Sequence, residues 1–165
     1  MKKQLIYLAA ILLLLTACSG NETPSNDNKD VVFGVIVMNE QGENLLNMLT
    51  PSAYRYETIQ MYREIDGVWK RFYEPLYDHP KGFEVYTEDT DWMVVYEPSV
   101  NAMSPHSNTL IQWNENDADT IRCEYRMVPG DLTCIRIWVN SELAWDITDK
   151  SSKYSARVIE IIRPD

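Results

Sequence analysis

After Asp30 the apolar residues come in short runs rich in Val, Ile, Tyr, Trp and Phe, each closed by Gly, Pro, Asn or Asp. Runs of that length, bounded by turn-forming residues, read as β-strands rather than helices. The pattern predicts strands over residues 31–38, 56–65, 68–73, 83–86, 92–96, 109–113, 120–127, 132–139 and 156–162. Helix competes only over 43–49, where Leu45, Leu46, Met48 and Leu49 suit a single turn that Pro51 then stops. Short strands at this spacing favour two packed sheets over alternating β and α units. The expected fold is all-β, a single antiparallel β-sandwich of immunoglobulin-like type with at most one short helix. A partly open barrel is the competing architecture.

Two turns carry register information. Asp66-Gly67 between alternating segments suits the positive φ angles of a type I′ hairpin, so Ile65 faces Val68, Glu64 faces Trp69, and Tyr62 faces Arg71. Ile59, Met61, Ile65, Val68 and Phe72 then share one face, expected to be the core side. Tyr62, Trp69 and Tyr73 share the other with Gln60, Glu64 and Arg71. The second turn, Val128-Pro129-Gly130-Asp131, has Pro and Gly where a type II turn favours them. It puts Cys123 and Cys134 on neighbouring antiparallel strands. One register sets both sulfurs on one face, able to join as a disulfide. The other aligns Ile121, Cys123 and Tyr125 with Ile135, Ile137 and Val139 and turns Cys134 away. Burial favours the second and an oxidising compartment the first, so the pattern leaves both open.

Ahead of these strands the chain changes character. Lys2 and Lys3 precede an apolar run from Leu5 to Leu15, followed by Leu15-Thr16-Ala17-Cys18. A basic start, a short apolar stretch and small residues at its end form a secretory signal, too short for a comfortable membrane span. Its last four residues resemble the bacterial lipobox, and that resemblance implies acylation of Cys18 as the first residue of the mature protein. Residues 1–17 are thus expected to be a lipoprotein signal peptide, 18–30 a lipidated cysteine with a polar tether, and 31–165 one β-sandwich domain. Lipid on Cys18 would be the membrane attachment. Ser19, rather than Asp, follows that cysteine, which implies outer-membrane placement, facing either side.

The net charge of −10 becomes about −12 once Lys2 and Lys3 leave, with 13 basic against 25 acidic side chains. A surface this acidic, with no basic stripe, repels phosphate backbones and excludes nucleic acid as a partner. It also keeps a tethered domain soluble. The two histidines, His79 and His106, sit beside prolines in loops, and Ser104 and Ser107 near His106 lack a third group to complete a triad. No cofactor motif and no zinc-ligand spacing occur. In Asn114-Glu115-Asn116-Asp117-Ala118-Asp119, the side chains of Asn114, Asn116, Asp117 and Asp119 offer hard oxygen ligands for calcium, without the glycine and terminal glutamate of an EF-hand loop. A solvated turn is the plainer reading of that loop.

Trp92, Trp113 and Trp138 lie within apolar strands and are assigned to the core. Tyr62, Trp69 and Tyr73 fall on the charged hairpin face and form a candidate ligand platform, since in carbohydrate-binding sandwiches such rings stack on sugars while amides and carboxylates bond the hydroxyls. Cross-strand pairing on a solvated sheet explains the same face without a ligand. From Phe33 to Asn47, with the turn Asn39-Glu40-Gln41-Gly42-Glu43-Asn44-Leu45-Leu46, and again at Asp119-Thr120-Ile121 and Ile137-Trp138-Val139-Asn140, the chain resembles small envelope lipoproteins of Bacteroidota. The resemblance implies a β-fold and an envelope address. The expected function is a non-catalytic binding or assembly module whose partner is a glycan or an envelope protein. A small hydrolase or hydrolase accessory acting on glycans is the alternative.

Overall fold

The computed structural model describes residues 28–88, 91–149 and 157–164, so Cys18 and the signal lie outside the described residues. Every predicted strand is present, and among the described residues there is no helix. The strands are β1 (Asn28–Asp30), β2 (Phe33–Asn39), β3 (Gln60–Ile65), β4 (Val68–Arg71), β5 (Phe83–Glu88), β6 (Asp91–Tyr96), β7 (His106–Gln112), β8 (Ala118–Val128), β9 (Asp131–Val139), β10 (Glu142–Asp146) and β11 (Val158–Arg163). Asn44 forms an isolated bridge with Met38, and residues 45–49 are turns and a bend rather than a helix.

Two sheets pack face to face as a β-sandwich. The larger runs β1-β9-β8-β7-β3-β4, with β10 also on β9, and the smaller runs β11-β2-β6-β5. Most neighbours are antiparallel, but β1 lies parallel to β9 and β11 parallel to β2, so both sheets are mixed. The polar segment expected to end the tether thus enters the fold. β1 buries nothing; Asn28 bonds Asp131, Lys29 pairs with Glu97, and Asp30 takes Arg157 at 2.7 Å.

Alternation fills the space between the sheets. Phe33, Val35 and Val37 of β2 meet Ile111, Ile121, Cys123 and Ile137 of the larger sheet, with Trp113 and Ile159 in the same core. Phe33 and Tyr96 rings lie 4.6 Å apart, close to edge-on. Ile36, Met93 and Val158 form a second, smaller cluster with Met38 and Val95. Their positions alternate with the core residues of β2, β6 and β11, which places the cluster on the other face of the smaller sheet.

The Asp66-Gly67 hairpin has the expected register and positive φ at both turn residues, 54° and 74°. Ile59 and Met61 are buried as expected, whereas Ile65 and Val68, at the hairpin tip, are exposed. Between β8 and β9 both alternative registers occur. From the Pro129-Gly130 turn, Val128 to Tyr125 face Asp131 to Cys134; then Glu124 faces Arg136 and Ile135 is left unopposed. This one-residue β-bulge turns Ile137 back to the core beyond it, so Cys123 and Cys134 are both buried on the inner face. They are free thiols.

At the far end of the sandwich from that turn, Asp119 is fully buried. It accepts Trp113 Nε1 at 2.6 Å, Asn140 Nδ2 at 2.7 Å, and both terminal nitrogens of Arg163 from β11. Replacing Arg163 by Met should leave this carboxylate buried without its cation and lower stability by about 3–5 kcal/mol. The urea unfolding midpoint of the variant against the parent chain measures this.

Candidate functional site

The three aromatic residues singled out on the hairpin fall on one face. β4 is the edge of the larger sheet, so among the described residues no strand pairs beyond it. Alternation puts Trp69, Arg71 and Tyr73 on the outer face opposite Glu64 and Tyr62. Trp69 is 40% exposed and Tyr73 54%. Tyr62 is half-buried and donates its hydroxyl to Gln112 Oε1 at 3.1 Å, which fixes its ring. Asn108 on β7 donates to Glu64, and the Arg71 guanidinium lies 5.9 Å from the Tyr73 ring centre. Three rings thus share one face with amide, carboxylate and guanidinium groups.

Trp138 belongs to this outer face too, although its strand suggested the core. It is half-buried, directly opposite Arg122, whose guanidinium lies 5.4 Å from the indole. The alternation Arg136, Trp138, Asn140 was the available signal, because its neighbours on that face are polar. Trp113 is fully buried, and Trp92 packs partly buried against the core.

On the inner side of the same hairpin an open groove of about 1120 Å³ crosses the end of the sandwich. Residues 72–82, 97–102 and the β8–β9 turn form its walls. Phe72 lies against Gly82, whose φ of 81° and missing Cβ permit the approach; a Cβ there would come within 2.5 Å of the ring. The Phe72 and Tyr77 rings are 6.3 Å apart, and the Arg63 guanidinium sits 3.8 Å above Phe72. Burial pulls the Arg63 pKa below the usual value, against the nearby Glu97. Three of the wall carboxylates have side-chain partners: Glu97 has Lys29, Asp131 has Arg126 at 2.7 Å, and Glu84 has His79 at 3.5 Å. Bonds from Thr133, then Arg126 and Asn28, hold the Asp131 carboxyl below its ordinary range. Local patterning could not announce the groove, which is assembled from segments distant in sequence.

The acidic loop proposed for calcium has other work. Asn114 accepts the backbone N–H of Asn116 as a local turn, while Asp117 binds the Tyr54 hydroxyl and Arg163, and Asp119 is saturated as described. With both carboxylates committed to a cation of the chain, the loop does not present an oxygen cage to calcium. Among the described residues no cluster of His, Cys, Asp and Glu suits a metal. Nor do the serines activate through histidine: Ser104 bonds the backbone of His106, and Ser107 shares a 2.6 Å hydrogen bond with the Tyr125 hydroxyl.

No protein-family model, curated protein or solved structure matches this chain.

Burial and then the Asp117 bond push the Tyr54 pKa up to about 12 from 10.0. A raised pKa in the folded state contributes stability that is complete below pH 10 and lost as pH rises through about 12. Tyr54→Phe should therefore be less stable than the parent at pH 8, with the gap shrinking between pH 10 and 12 in parallel urea titrations. Gly82→Ala should displace Phe72 and destabilise by about 1–3 kcal/mol, read as a lowered melting temperature.

Proposed function

We propose that this chain is the non-catalytic binding module of a lipid-anchored bacterial envelope protein, held at the outer membrane through Cys18, and that its ligand is a glycan. The observation that carries the reading is the alignment of Tyr62, Trp69 and Tyr73 on one accessible face of an edge hairpin. Rings of this kind offer flat apolar area at low entropic cost, and sugars present apolar C–H faces ringed by hydroxyls. Gln112, Asn108, Glu64 and Arg71 supply the hydrogen-bonding groups beside them. The basic start, apolar run and Leu15-to-Cys18 segment support the address.

Assembly by strand addition at β4 fits less well. That edge is four residues long and carries Lys70 and Arg71, the short, charged character that discourages pairing with another chain. A hydrolase needs a carboxylate or imidazole free to exchange protons with substrate. In the groove, Glu97 and Asp131 are instead paired with Lys29 and Arg126.

Tryptophan fluorescence of the soluble chain from Ser19 onward, titrated with a panel of neutral and acidic polysaccharides, tests the proposal. A saturable change is expected with at least one glycan. Trp69→Ala should weaken that binding about tenfold, the loss expected for one stacking contact of roughly 1.4 kcal/mol. A flat response from folded protein across the panel would remove the hairpin face as a glycan site.

A further inference from the structure

We propose that Cys123 and Cys134 form an internal disulfide during folding, locking β8 to β9 at the bulge and bracing one wall of the groove. Beyond Cys18 these are the chain's remaining cysteines. The turn at Pro129-Gly130 starts β8 and β9 in the register that puts both sulfurs on the inner face. Continued unbroken, that register would bring Arg136 and Trp138 inward and drive Ile137 and Val139 out. The unopposed Ile135 resolves the conflict: both cysteines stay inside, diagonal to each other, and Ile137 returns to the core opposite Cys123. Cys134 donates its thiol to the Arg136 carbonyl at 3.6 Å, two residues along its own strand. Two thiols on one face at diagonal positions of paired strands, both sealed in the core, have each other as the ready partner for oxidation.

The reaction needs a disulfide-bearing oxidant, either a small-molecule disulfide or a thiol–disulfide oxidoreductase. One cysteine thiolate attacks the oxidant's S–S bond, forming a mixed disulfide and releasing one thiol. The second cysteine thiolate then attacks the first cysteine's sulfur and releases the other. One S–S bond forms in the chain and one breaks in the oxidant, which receives both electrons and both protons. Since both sulfurs are at most 1% exposed in the folded chain, the exchange takes place before the sandwich closes. Past the bulge lie Met127, Val128, Asp131 and Leu132, which line the groove. The bond would tether this hairpin tip at its base.

The full-length chain, solubilised in detergent, reduced and unfolded, is refolded in a mixture of oxidised and reduced glutathione, then alkylated and cut with trypsin. Cleavage after Arg122, Arg126 and Arg136 places Cys123, Cys134 and Cys18 on three separate peptides. The expected product joins the peptide 123–126 to the peptide 127–136, and reductant separates them. The oxidised chain should melt about 5–10 °C above its reduced form, as closure of so short a loop predicts. Cys123→Ala and Cys134→Ala should each abolish that difference. Recovery of both peptides alkylated, or either one bonded to the Cys18 peptide instead, overturns the proposal.

Discussion

A buried carboxylate, Asp119, holds the sandwich shut at one end. Left alone in an apolar interior it would be strongly destabilising; with Trp113, Asn140 and Arg163 around it, its bonding positions are filled. The decisive partner comes from the opposite sheet. Arg163 ends β11, and Arg157, just before β11, reaches Asp30 and the Val32 carbonyl while its guanidinium lies 4.9 Å from the Trp145 ring centre. An arginine at each end thus clasps this strand to the larger sheet. A slip of one residue along β2 would invert the faces of Ile159 and Ile161 and draw Arg163 away from Asp119. That double penalty specifies a parallel pairing which apolar packing alone would fix less tightly.

The clasp also explains where the molecule is open. Asp119 lies at the start of β8 and Val128 at its end, so the network closes one end and the groove occupies the other. At the open end Arg63 still points inward, following the alternation that buries Met61, but the smaller sheet no longer covers it fully. Phe72 takes the place of a core neighbour by stacking on its guanidinium. Polar and aromatic groups accumulate there because packing between the sheets runs out.

Local chemistry made the strands legible, since each alternates or runs apolar between turn residues. The Asp66-Gly67 register followed from two residues, and with it the grouping of Tyr62, Trp69 and Tyr73. Long-range pairing was hidden. β1 is entirely polar and joins the sheet through backbone and ion pairs, and β10 follows an Asn140-Ser141 turn whose positive φ angles lack the usual glycine. The bulge at Ile135 is a single extra residue, invisible to a reading that assumes one register throughout. The role of the acidic loop was hidden for a related reason: its carboxylates are answered by an arginine more than forty residues later.

The platform and the groove are two faces of one hairpin. Along the chain from Arg71 to Tyr73, side chains alternate outward, inward, outward, so Phe72 enters the groove while its neighbours carry the aromatic face. The backbone N–H of Phe72 donates to the Met61 carbonyl at 2.8 Å, which extends the hairpin ladder past β4 and ties this segment to a fully buried core residue. A ring standing on such a strand is held by main-chain bonds rather than by loop packing, and so keeps its spacing to Trp69 and Tyr62. Backbone order of this kind lowers the main-chain freedom that any contact at this face would cost. The same ladder couples the two faces: a shift of Phe72 against Gly82 moves the backbone that carries Tyr73.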